Sequence, residues 1–88
     1  SRALDLQACH QLLAILRRLI QAGTTVVQVT HRVDTIVPEM ERVLFLAKGR
    51  IVGDGSPREM LRPAELSELF NTPLNVVEAH GFRQVLPG

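Results

Sequence analysis

Apolar and polar positions divide the chain into a helical N-terminal fifth, a β-rich middle and a mixed C-terminal third. Between Leu6 and Ala22 the residues Leu12, Leu13, Leu16, Leu19 and Ile20 recur at helical spacing, which predicts an amphipathic helix. Asp5 is expected to cap it, since a carboxylate suits the positive end of the helix dipole. Gly23 supplies a left-handed stop at the other end. Arg17 and Arg18 are expected on the solvated side of the last turns, where cations are favoured. The run Thr24-Thr25-Val26-Val27-Gln28-Val29-Thr30 follows. Its β-branched residues pack well on a pleated surface, so it predicts a strand. Its nearly continuous apolar character fits a strand covered on both faces, as in parallel α/β sheets. His31 closes the run at the carboxyl end, where ligands bind in such sheets.

Beyond His31, Asp34 is expected to begin a short helical turn that Pro38 limits through its fixed φ and missing N–H. Arg42–Ala47 reads as a second buried strand, turned by Lys48-Gly49 into Arg50–Asp54 as a hairpin. Ser56-Pro57-Arg58-Glu59 is a capping box with proline at the first helical position. Pro63 ends that short helix and starts another running to Phe70, which Asn71-Thr72-Pro73 breaks. Leu74–Ala79 and Phe82–Leu86, joined by His80-Gly81, predict a terminal hairpin. A strand covered on both faces needs neighbours on both edges. Arg42–Ala47 supplies one neighbour and nothing earlier supplies the other, so the pattern reads as the second half of a larger α/β domain.

Composition narrows the function. The 88 residues are 45% hydrophobic and 22% charged, the balance of one small globular domain or a piece of one. Ten Lys and Arg against nine Asp and Glu leave a net charge of +1, with aromatics at 3%. Neither a phosphate-neutralising surface nor a base-stacking platform is present, so nucleic acid is not an expected partner. The single Cys9 allows no internal disulfide, fits a reducing compartment, and is expected as a small core residue of the helix. There is no signal-peptide pattern, and the apolar stretch Leu12–Ile20 is interrupted by Arg17 and Arg18 and too short to span a bilayer. The expectation is a soluble, cytoplasmic protein. Cys9, His10 and His80 lack metal-ligand spacing, so no metal site is expected. Glu39 and Glu41 read as surface charge, and Ser56 as a cap rather than a nucleophile.

Three stretches, in order, resemble the ATP-binding subunit of an ABC transporter. Ser1-Arg2-Ala3-Leu4-Asp5 is similar to the D-loop, best in Ala3-Leu4-Asp5. Val29-Thr30-His31 is similar to the H-loop with its switch histidine. Arg42–Pro57 is similar to the strand-turn-strand segment that comes after it. The tail from Leu66 to Pro87 resembles the extension of importer-type subunits for iron chelates, cobalamin or molybdate, and Ile36-Val37-Pro38-Glu39 resembles the molybdate-like branch.

The resemblance implies the C-terminal half of a P-loop NTPase domain: an α/β fold with parallel strands, flanking helices and a terminal β-hairpin. Residues 1–58 would run from the D-loop through the H-loop core to the first hairpin, and 59–88 would form the extension. It implies that His31 contacts the γ-phosphate and helps hold the attacking water, where a neutral imidazole N–H stabilises developing charge. It implies that Ala3, Leu4 and Asp5 shape a dimer interface, a role Asp5 can share with capping its helix. No G-x-x-x-x-G-K-[ST], signature motif or Walker B carboxylate occurs. ATP and Mg²⁺ would therefore be cofactors of the intact domain, with no tight binding and no turnover expected of these residues alone. Implied partners are the N-terminal half of the domain or a second ATP-binding subunit, and a membrane-spanning permease at whose cytoplasmic face the protein would lie. Two alternatives stand beside this: a non-catalytic α/β interaction or dimerisation module, and an unrelated small α/β binding protein.

Overall fold

The computed structural model describes residues 2–88, with side chains from Asp5 onward. Helix α1 spans Arg2–Gln21. Its end is fastened as the sequence predicts. Gly23 adopts φ +91, its N–H donates to the Ile20 carbonyl, and the Thr24 N–H donates to the Leu19 carbonyl, both at 3.0 Å. These paired bonds form a Schellman motif that satisfies carbonyls the helix would otherwise leave open. The start differs from expectation. Asp5 lies inside the first turn of α1, not at a cap ahead of it; it still suits the dipole there.

Thr24–Thr30 forms no strand. The residues alternate as an extended segment would, with Val26 and Gln28 half-buried while Val27 and Val29 are 88% and 87% exposed. One face rests on the protein and the other is bare. β-branched residues favour a pleated surface, but a ladder also needs a partner. The expected neighbour, Val43–Ala47 (β1), pairs with Arg50–Gly55 (β2) in an antiparallel hairpin. The expected parallel sheet is therefore absent from the described residues, and two separate two-stranded antiparallel sheets stand in its place.

The remaining elements follow the sequence closely. A 3₁₀ turn covers Val33–Thr35, beginning one residue before Asp34. Ser56 caps α2 (Pro57–Met60) in a reciprocal capping box with Glu59. Helix α3 runs Pro63–Phe70 and ends on Asn71 in the left-handed conformation. Strands β3 (Leu74–Ala79) and β4 (Phe82–Pro87) form the second hairpin. Both hairpins turn through a residue-Gly pair with positive φ at each position, Lys48-Gly49 and His80-Gly81. That geometry matches the right-handed twist of the strands.

The core lies among the later elements. Val37, Phe45, Leu61 and Leu66 are buried, and Val33, Ile36, Met60, Leu74, Val76 and Val85 pack against the cluster formed by the last three. No described residue of α1 is fully buried. Cys9 is half-buried, not a core residue as expected.

Candidate functional site

His31 stands exposed on a bend immediately after the extended segment. The loop around it is held by short polar contacts. The Arg32 N–H donates to Thr30 Oγ1 at 3.0 Å, and Thr35 Oγ1 donates to the Arg32 carbonyl at 2.7 Å. The Thr30 and Thr35 hydroxyls lie 3.1 Å apart, and Gln28 Nε2 donates to the Thr35 carbonyl at 3.1 Å. The chain direction through residues 28–35 is thereby fixed while the imidazole is left accessible. It lines an open depression with Arg32, Asp34, Phe70, Thr72 and Gln84.

The charge in that depression is already balanced. Arg32 grips Asp34 through Nε at 3.2 Å and Nη2 at 2.7 Å, and the hydrogen bond it donates to Asp34 raises the Arg32 pKa. The guanidinium beside His31 is thus committed to its own carboxylate. No phosphate-loop motif with its lysine occurs in the sequence, so the residues present do not form a complete cradle for a nucleotide. Among the described residues no group of three or more His, Cys, Asp or Glu is arranged to hold a metal ion.

The other sequence-predicted site residues lie on α1. Asp5 is exposed on its first turn. Ala3 and Leu4 belong to the helical backbone, but their side chains fall outside the described residues. Asp5 does not line the depression at His31.

One constellation escaped the sequence reading. Glu39, expected as surface charge, accepts from Arg17 Nε at 2.8 and 3.1 Å and from Gln21 Nε2 at 2.7 Å. The Arg17 hydrogen bond lowers the Glu39 pKa, with Gln21 adding to the effect against desolvation. Arg17 is accordingly not on the solvated side of α1; its guanidinium lies 5.6 Å from the centre of the Phe82 ring. These three side chains latch α1 onto the body. Arg17 and Glu39 are 22 positions apart, and no local signal links them.

Comparison with known proteins gives the site its context. No protein-family model matches the chain. The chain is 32% identical over 75 residues to the hemin import ATP-binding protein HmuV of Photobacterium damselae subsp. damselae, covering 85% of this chain and 28% of that protein. It is 34% identical over 85 residues to a putative ABC transporter ATP-binding protein of Bacillus cereus, covering 96% of this chain and 13% of that protein. Over this stretch the sequence belongs to the ABC-transporter ATP-binding family. The energy-coupling factor transporter ATP-binding protein EcfA2 of Mycoplasmopsis synoviae is 38% identical over 68 residues, covering 77% of this chain and 22% of that protein. The chain thus spans less than a third of the length of these ABC relatives. No described helix is long and apolar enough to cross a membrane.

Proposed function

We propose that this stretch is the C-terminal portion of an ABC ATP-binding subunit, acting in ATP-driven transport with a phosphate-binding half that these residues do not contain. In this reading His31 is the side chain that meets the terminal phosphate, and Ala3, Leu4 and Asp5 face a second ATP-binding subunit. Residues 59–88 form an extension to the catalytic core at 1–58. ATP and Mg²⁺ belong to the assembled domain, and the partner is a permease at the cytoplasmic face of a membrane.

The observation that carries the proposal is the similarity to an ABC ATP-binding protein across 96% of the chain. The exposed imidazole on a braced loop supports it, since a phosphate sensor must be both reachable and positioned.

The test is reconstitution with a complementary half carrying the phosphate loop. ATP hydrolysis by the mixture, reduced about 10²-fold or more by His31→Ala, is the expected result. An unchanged rate in the His31→Ala mixture overturns the role of His31. The second reading, a non-catalytic interaction module, is favoured by the bare apolar face of Val27 and Val29; association of the halves without turnover would select it.

A further inference from the structure

A second cleft lies between α1 and the β3–β4 hairpin, with a cavity volume of about 470 Å³, inside the range of small-molecule sites. Leu13, Val77 and Phe82 give it apolar walls, and Arg17, Arg83 and Asp34 give it charge. Both arginines of the cleft leave most of their donor capacity unused. Arg17 spends Nε on both oxygens of Glu39, and its terminal nitrogens donate to no described residue. Arg83 has a side chain only 17% exposed, yet its one carboxylate neighbour, Glu78, stands at 3.8 Å, beyond hydrogen-bond distance. Asp34 is paired with Arg32 through both its oxygens and makes no ion pair with either cleft arginine among the described residues. The cleft therefore holds unspent guanidinium donors beside apolar walls. A half-shielded cation with so loose a partner favours an incoming anion.

We propose that this cleft binds a small organic carboxylate with an apolar body, distinct from any nucleotide site at His31. The guanidinium fork matches the two oxygens of a carboxylate. Glu39 and the Phe82 ring hold Arg17 in place, so little ordering is lost on binding. Leu13, Val77 and Phe82 then cover the apolar body.

The test is a titration of the 88-residue chain with benzoate, followed by amide chemical shifts, with benzyl alcohol and inorganic phosphate as parallel probes. The expected result is saturable benzoate binding with a dissociation constant on the order of a millimolar. Shifts should centre on Leu13, Val77 and Phe82, and Arg83→Gln should weaken binding about tenfold or more. Arg83→Lys, which keeps the charge and loses the fork, should also bind more weakly, and serves if Arg83→Gln disturbs the fold. Equal binding of benzyl alcohol overturns the proposal as mere apolar adsorption. Equal binding of phosphate overturns it as a bare anion site. Shifts confined to the exposed Leu44, Leu46 and Ile51, or no shifts at all, overturn it outright.

Discussion

Removing Glu39 should release α1 while leaving the rest of the protein intact. At 1.5 Å per residue the 20-residue α1 is about 30 Å long. It offers only half-buried residues such as Leu13, Leu16 and Ile20 to the body, and an isolated helix of this length is marginal in water. Its polar attachment converges on one carboxylate, which receives Arg17 and Gln21. The Arg17 and Glu39 side chains are 38% and 19% exposed, so solvent screens the pair less than a surface ion pair, though not negligibly. Adding the Gln21 hydrogen bond to a screened pair gives about 1–2 kcal/mol. That corresponds to a roughly 5–30-fold change in the local opening equilibrium. Amide hydrogen exchange reads this directly. In Glu39→Ala the Leu16–Gln21 amides should exchange faster by that factor while those of β1 and β2 keep their rates. Arg42→Ala is the control: its pair with Asp54 is 70% and 45% exposed, and α1 exchange should not respond. Unchanged α1 exchange in Glu39→Ala, or equal acceleration in Arg42→Ala, would refute the latch.

Acid should loosen α1: Glu39 is held below its ordinary value of 4.5, so its contribution is complete above that pH and is lost as pH falls through the lower folded value. Loss of helical circular dichroism starting below that point, and absent in Glu39→Ala, is the measurement. Leu66 is 1% exposed, and Leu66→Ala should cost about 2–4 kcal/mol in urea unfolding; a cost under 1 kcal/mol would mean the core collapses around the gap. Gly81→Ala should destabilise by about 1–3 kcal/mol, because φ is +82 and the new Cβ would stand 2.8 Å from Pro38 Cβ and Cγ; an unchanged melting temperature would contradict this.

The legible parts of this fold are those whose signals are local. Ser56 and Glu59 close a capping box within four residues, Lys48-Gly49 and His80-Gly81 turn their hairpins through two, and Gly23 stops α1 through neighbouring carbonyls. Each could be read because cause and effect are adjacent in the chain. The start of α1 is not legible, because helix starts are set by weak competing preferences, and α1 runs back past Asp5 to Arg2. The Arg17–Glu39 latch was invisible because a charge reads as solvated until its distant partner is known. At the candidate site the sequence singled out His31 but carried no sign that Arg32 would be spent on Asp34.

The strand expected at Thr24–Thr30 and the apolar surface left open are one physical fact. Among the described residues all four that are buried, Val37, Phe45, Leu61 and Leu66, come after residue 36. The exposed apolar side chains include Leu12, Ile15 and Leu19 on one strip of α1, Val27 and Val29 of the extended segment, and Leu44, Leu46 and Ile51 on the first hairpin. Exposed apolar surface of this kind is what an interface covers, and Thr24–Thr30 and β1 are the stretches whose pattern predicts a sheet covered on both faces. The proposed function gives them a common cover. A complementary half that adds strands beside Thr24–Thr30 would supply the missing ladder, bury Val27 and Val29, and leave His31 at the carboxyl end of a paired strand. On the proposed function, the contacts that complete the core would also complete the position of His31, which would couple its phosphate contact to assembly of the domain.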